Sequence, residues 1–146
     1  MIVREYEPRD SERVYDILCS SLDETYRQET FSYFHMQWPK GQLVICDLSG
    51  MPMGFISSLR ADLAHARIMM FAVDPGHRSM GLGSRLIMRF KQATMMSGIN
   101  RISLEVRPSN TRAMSFYKRH GFAPTEVLRN YYNDGGDAVR MDLFLN

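Results

Sequence analysis

Apolar residues along this chain change their spacing several times, and each change marks a new element. Residues 2–6 alternate as a short strand does. Asp10 and Ser11 can cap a helix that carries Val14, Ile17 and Leu18 on one face and ends near Cys19. Residues 23–26 read as a loop, and a second short helix over 28–35 stops before Trp38-Pro39-Lys40-Gly41. Strands follow at 42–47 and 53–60, separated by Ser49, Gly50 and Pro52, and a third at 67–73 is closed by Asp74-Pro75-Gly76. These three read as an antiparallel meander. Leu82, Leu86, Phe90 and Ala93 then share one helical face, and Gly98 with Asn100 ends that helix.

The remaining pattern repeats the alternation of strand and helix. Ile102, Leu104 and Val106 lie on one side of a strand over 101–106, with Ser103 and Glu105 on the other, a placement that leaves Glu105 free to face a cleft. Pro108-Ser109-Asn110 stops the strand and caps a helix that groups Ala113, Phe116, Tyr117 and His120 before Gly121. Two closing strands, 122–131 and 137–145, are joined by Asn133-Asp134-Gly135-Gly136. The order β-α-α-β-β-β-α-β-α-β-β describes a mixed α/β (α+β) architecture. No repeat or linker divides residues 1–146, so a single domain is expected.

Composition narrows the classes. Hydrophobic residues make up 45% and charged residues 23%, as in a soluble globular protein. No apolar run has transmembrane length and the N-terminus lacks the zones of a signal peptide, so a cytoplasmic protein without membrane contact is expected. Cys19 and Cys46 are expected as buried free thiols, the four histidines are scattered without metal-ligand spacing, and no metal is expected. The twelve methionines are expected as core filler. A net charge of +2 is too small to argue for nucleic acid, although Arg78, Arg85, Arg89, Arg112, Lys118 and Arg119 gather around two loops.

One of those loops carries the clearest chemistry. Arg78-Ser79-Met80-Gly81-Leu82-Gly83 joins a strand to a helix, and glycines there let a ligand approach the backbone. The first N–H groups of a helix lack partners within it, and the helix dipole adds partial positive charge, so the loop suits a phosphate-type anion. No Gly-Lys-Ser or Gly-Lys-Thr follows, as a P-loop requires, and Ser84-Arg85-Leu86 supplies no third small residue for a dinucleotide fingerprint.

Taken together, the Arg-x-x-Gly-x-Gly loop, Leu-Glu-Val-Arg-x-x-Asn at 104–110 and Phe-Tyr-x-x-x-Gly-Phe at 116–122 resemble the GNAT acyltransferase superfamily. Within it the chain is similar to the branch of ribosomal-protein alanine and amino-terminal (Nα) acetyltransferases. Leu-Asp-Glu-Thr-Tyr at 22–26 is similar to that branch's Leu-Pro-Glu-Asn-Tyr loop, and Arg129-Asn130-Tyr131-Tyr132 to its paired-tyrosine segment. The resemblance implies the GNAT fold, a mixed, mostly antiparallel central sheet flanked by helices. It also implies acetyl-CoA as co-substrate, with its diphosphate on the backbone of Ser79, Met80, Gly81, Leu82, Gly83 and Ser84 beside Arg78. The pantetheine arm is then expected along Phe71, Ala72 and Val73, with the Val73 N–H on the thioester carbonyl. Asn110 matches a coenzyme-contacting asparagine, although capping the next helix explains it equally.

For the reaction, the resemblance makes Glu105 the base and Tyr117 the acid that protonates the leaving thiolate. An α-amino group with a pKa of roughly 7.7–8.0 is partly protonated at neutral pH and must lose a proton before it attacks. Glu24 is the competing carboxylate, and Glu24, Tyr26, Tyr131 and Tyr132 are the expected acceptor-binding residues. Plain packing explains Tyr117 beside Phe116, and solvent exposure explains a strand glutamate, when each is read alone. Asp23 replaces the proline of the similar loop and the 133–137 segment is short, two departures that bear on the acceptor. The expected activity is acetyl transfer to a protein or peptide N-terminus by direct attack, with an auxiliary subunit or a homodimer left open. The competing readings are acetylation of a small amine (a polyamine, amino acid or aminoglycoside) and a non-catalytic acetyl-CoA-binding module.

Overall fold

The computed structural model describes residues 1–21, 26–78 and 80–145. Among them, the strands are β1 (Ile2–Glu5), β2 (Leu43–Cys46), β3 (Pro52–Asp62), β4 (His65–Val73), β5 (Arg101–Val106), β6 (Ala123–Leu128) and β7 (Ala138–Phe144). The helices are α1 (Ser11–Ser21), α2 (Glu29–Gln37), α3 (Leu82–Met96) and α4 (Thr111–Arg119). The strands form one sheet in the order β1-β2-β3-β4-β5-β7-β6. Every neighbouring pair is antiparallel except β4 and β5, which run parallel through the α3 crossover. The element order expected from the sequence is the one observed.

Helices cover both faces of the sheet, so the core has two parts. On one side Leu82, Leu86, Ile87 and Phe90 of α3 pack on Ile45, Ile56, Ile102, Leu104 and Met141. On the other, Val14, Ile17 and Leu18 of α1 and Phe31 and Phe34 of α2 pack on Val44, Phe55, Met70 and Ala72. Covering both faces explains why β2 reads Leu-Val-Ile-Cys without alternation: all four residues are buried. Each large apolar side chain so buried contributes about 1.5–3 kcal/mol.

A break in one strand shapes the site. β3 and β4 pair as Ser57↔Met70 and then Ser58↔Ile68, so Met69 is an extra residue. Such a bulge bends its strand and swaps the faces of the side chains beyond it. Accordingly Ala66 and Ile68 join the α3 side of the core, whereas Met70 and Ala72 join the α1–α2 side. β4 stays paired to β3 as far as Val73↔Gly54, but its ladder to β5 ends at Arg67↔Ser103. Beyond that pair the two parallel strands part, and the backbone of 68–73 presents an edge that β5 does not fill.

Three expectations change. Cys46 is buried, and that burial pushes its thiol pKa up, but Cys19 is exposed, because α1 turns that position away from its apolar stripe of Val14, Ile17 and Leu18. Met53, Met70 and Met141 fill the core, yet Met36, Met51, Met80, Met88, Met95 and Met96 are exposed on helix and loop surfaces. The sixth strand stops at Leu128 rather than continuing to 131. Asn130 takes a left-handed φ of 52°, which asparagine tolerates, and its N–H donates to Asp137 Oδ1 at 3.0 Å. That turn takes Tyr131 and Tyr132 out of the strand and folds them over the sheet.

Candidate active site

Where β4 and β5 part, two clefts open and meet. The larger, about 640 Å³, lies toward α3 and α4, and the smaller, about 260 Å³, lies toward Tyr26, Tyr131 and Tyr132. Ser21, Phe71, Asn110, Ala113 and Tyr117 line both. A group entering from one side therefore meets a group entering from the other at Phe71 and Tyr117.

The large cleft ends on the N-terminus of α3. Gly81 occupies the N-cap with a left-handed φ of 75°, and no side chain caps the helix. The first i→i−4 bond of the helix runs from the Arg85 N–H to the Gly81 carbonyl at 3.2 Å, so the N–H groups of Leu82, Gly83 and Ser84 have no partner within the helix. A Cβ on Gly83 would make ordinary contact with the Phe116 ring at 3.4 Å, so α4 packs directly against this first turn. Of the residues expected to hold a coenzyme, Phe71, Ala72, Val73, Arg78, Gly81, Leu82, Gly83, Ser84 and Asn110 line this cleft. Met80 is exposed and does not line it, and Ser79 lies outside the described residues.

Sequence reasoning placed only Arg78 securely beside this loop, but Arg112 and Arg119 of α4 also line the cleft, as does His77. Their approach depends on how α4 packs on α3, where the Ser84 hydroxyl meets His120 Nε2 at 3.0 Å and Lys91 donates to the His120 carbonyl. His77 Nδ1 lies 2.8 Å from Asp74 Oδ2, which also accepts from Arg13 Nη2 at 3.0 Å. Asn110 performs its structural duty: its Oδ1 accepts from the Ala113 N–H at 3.1 Å and caps α4.

Tyr117 sits in an aromatic cage. Its ring lies 5.4 Å from Phe116, 5.6 Å from Phe122 and 6.2 Å from Phe71, all edge-to-face. Burial pushes its phenol pKa well up, and its hydroxyl has no hydrogen-bond partner among the described residues. It is protonated at neutral pH and has a donor to give.

The small cleft is lined by Tyr26, Glu105, Tyr131 and Tyr132, so four of the expected residues converge there. Glu24 lies outside the described residues. Glu105 faces the cleft, but it is not free. Its side chain is only 6% exposed, and Arg67 chelates Oε1 through Nε at 2.8 Å and through Nη2. The Tyr131 hydroxyl lies 3.2 Å from the same oxygen, and Arg140 Nε donates to Oε2 at 3.2 Å. The cause is register: Arg140 stands directly opposite Glu105 on β7, and Arg67 reaches it from the last paired position of β4. Neither arginine stood out in the sequence, since only the strand order brings 67, 105 and 140 together. Burial and the Glu105 charge push the Tyr131 phenol pKa up. Arg107 stacks 4.0 Å over the Tyr132 ring and pairs with Asp134 at 3.2 Å, fixing the second tyrosine and the turn behind it.

Among the described residues no cluster of His, Cys, Asp and Glu could hold a metal ion, and no helix is long and apolar enough to cross a membrane.

Comparison with known proteins identifies the family and the fold. N-alpha-acetyltransferase MAK3 of Arabidopsis thaliana is 32% identical over 136 residues, which span 89% of this chain and 70% of that protein. The crystal structure of Ard1 from Thermoplasma volcanium superposes with a TM-score of 0.95 at 37% identity, covering 99% of this chain and 97% of that one. The ribosomal-protein-S18-alanine N-acetyltransferase of Escherichia coli has a TM-score of 0.85 at 26% identity, covering 99% and 94%. Residues 11–122 match the Acetyltransferase (GNAT) family, a span from α1 to the end of the α4 aromatic cage. The chain belongs to that family and is an N-acetyltransferase.

Proposed function

We propose that this enzyme moves the acetyl group of acetyl-CoA to the α-amino group of a protein or peptide N-terminus by direct attack. The observation that carries the reading is the fork between β4 and β5, which joins a cationic cleft to a tyrosine-walled one at Tyr117. The larger cleft fits a long coenzyme with phosphates at one end. The open N–H groups at the mouth of α3, with Arg78, Arg112 and Arg119, take the phosphates, and the unfilled edge of 71–73 pairs with the amide-bearing arm. The Val73 N–H then polarises the thioester carbonyl at the fork.

The acceptor enters through the smaller cleft, where Tyr26, Tyr131 and Tyr132 hold the first residues of a chain. Glu105 accepts the proton that the amine loses, directly or through one water. The amine nitrogen forms its bond to the acetyl carbon, the carbon–sulfur bond breaks, and Tyr117 delivers its proton to the departing thiolate. Burial keeps that phenol in its protonated form, so the proton is present when the thiolate leaves. A ribosomal-protein N-terminus is one member of this acceptor class, and the E. coli and Arabidopsis relatives support an acceptor that is protein rather than a free amine.

The test supplies acetyl-CoA and a peptide panel varied at its first two residues, alongside spermidine, free amino acids and an aminoglycoside. Thiol release with mass gain on peptide N-termini is expected, and Glu105→Gln is expected to lower turnover by about 10²-fold or more. Turnover confined to the free amines overturns the acceptor class. Wild-type turnover in Glu105→Gln overturns the assignment of the base.

A further inference from the structure

Four donors converge on Glu105, and two of them come from one residue. Arg67 is the last residue of β4 that pairs with β5, so its backbone is anchored at the base of the fork. Its side chain reaches forward to Glu105, two residues past its own partner Ser103, where the strands have already separated. One nitrogen, Nη2, donates both to Glu105 Oε1 and to the Tyr131 hydroxyl, the latter at 2.6 Å. A planar guanidinium gripping a carboxylate through two nitrogens fixes direction as well as distance.

The division of lone pairs is specific. Oε1 takes Arg67 Nε, Arg67 Nη2 and Tyr131, whereas Oε2 takes only the 3.2 Å bond from Arg140. Arg140 is itself held from the other side by Glu126, whose Oε2 accepts from Nη1 at 2.9 Å. Oε1 is saturated and Oε2 keeps room for one more donor.

We propose that Arg67 is the positioning residue of the acceptor half, saturating Oε1 of Glu105 so that Oε2 faces the incoming amine, and holding Tyr131 in the same grip. This rests on the reading of Glu105 as proton acceptor. Arg67 does not line the smaller cleft and acts through its two partners. Arg67→Met keeps most of the apolar stem of arginine but leaves the carboxylate free to swing toward Arg140 and the tyrosine free to leave. Misplacing a reacting group by about 1 Å costs on the order of 10²-fold in rate.

The experiment uses the full chain with acetyl-CoA and one accepted peptide, comparing wild type, Arg67→Met, Arg67→Lys, Glu105→Gln and the double variant Arg67→Met/Glu105→Gln. Arg67→Met is expected to lower kcat by about 10- to 100-fold, with acetyl-CoA Kd unchanged. Lysine restores charge without the two-nitrogen grip and is expected to recover only part of the loss. The double variant is expected to match Glu105→Gln within about twofold, because both changes break one interaction. Full wild-type kcat in Arg67→Met, complete rescue by lysine, or losses that multiply in the double variant overturn the positioning role. If Arg67→Met does not fold, Arg67→Lys and its double variant with Glu105→Gln carry the same comparison. Wild-type turnover in Glu105→Gln overturns the base instead, a result read separately from Arg67.

Discussion

The two halves of the cleft treat arginine in opposite ways. In the larger half, Arg78, Arg112 and Arg119 line the walls and none has an ion-pair partner among the described residues, although Arg119 lies 5.7 Å over the Phe116 ring. In the smaller half, Arg67 and Arg140 are bound to Glu105, Arg140 also to Glu126, and Arg107 to Asp134. The sequence shows the same contrast, since residues 75–121 hold nine lysines and arginines against one acid, Glu105. Uncompensated cations are costly to gather unless an anion arrives, so the larger half is built for a multiply charged ligand. The smaller half balances its own charge and spends its arginines on geometry. An acceptor entering there need bring no charge of its own.

Tyr117 belongs to both halves, and changing it sharpens the comparison most. On the proposed mechanism Tyr117→Phe removes the proton for the thiolate but keeps the aromatic cage, so kcat is expected to fall about 10²–10⁴-fold while coenzyme affinity measured by calorimetry stays unchanged. A fall in affinity to match would move Tyr117 wholly into the donor half.

A second break concerns stability in the acceptor half. Asp142, behind the Arg67–Glu105 cluster, is 2% exposed at its side chain and accepts from Arg101 at 2.8 Å and Thr125 at 2.5 Å. Burial acts to raise its pKa, but the Arg101 and Thr125 bonds prevail and hold it below the usual carboxylate value. A carboxyl depressed in the folded state stabilises the fold above its unfolded pKa, and that contribution is lost as pH falls through the folded value. Asp142→Asn is therefore expected to cost about 3 kcal/mol near neutral pH, measured by urea unfolding. The gap to wild type should narrow as pH drops below about 4. A gap independent of pH would show that shape, not charge, holds this wall.

The smallest effect is expected on the donor side. Arg112→Ala and Arg119→Ala each remove a solvent-screened cation, so coenzyme Kd should rise by about three- to tenfold at low salt and less at high salt. Acceptor KM should not move. A rise in acceptor KM with unchanged coenzyme Kd would reverse the roles of the two clefts.

Much of this was legible in the chain. The change from period two to helical spacing at Leu82, with Gly81 before it, located the open helix mouth without any tertiary information. The resemblance singled out Glu105, Asn110 and Tyr117, which a strand end, a cap and two helical turns separate. The alternation in the sequence puts Tyr131 at the end of a strand, and a single left-handed residue, Asn130, turns it into a loop above Glu105. The partners of Glu105 are hidden in the sequence, because its own strand shows only an apolar side and a polar side. Its partners come from strands 38 residues before and 35 residues after it.

The amino-acid sequence by itself determined the element order and the glycine-opened helix end, since each depends on contacts within a few residues, and its resemblance to a family pointed to the carboxylate and the phenol. Tertiary structure decided that β4 parts from β5 beyond Arg67, because the bulge at Met69 is a mismatch of register between two strands. It also decided that Arg67 and Arg140 close on Glu105, because strand order, not sequence distance, sets which side chains on a shared face can touch.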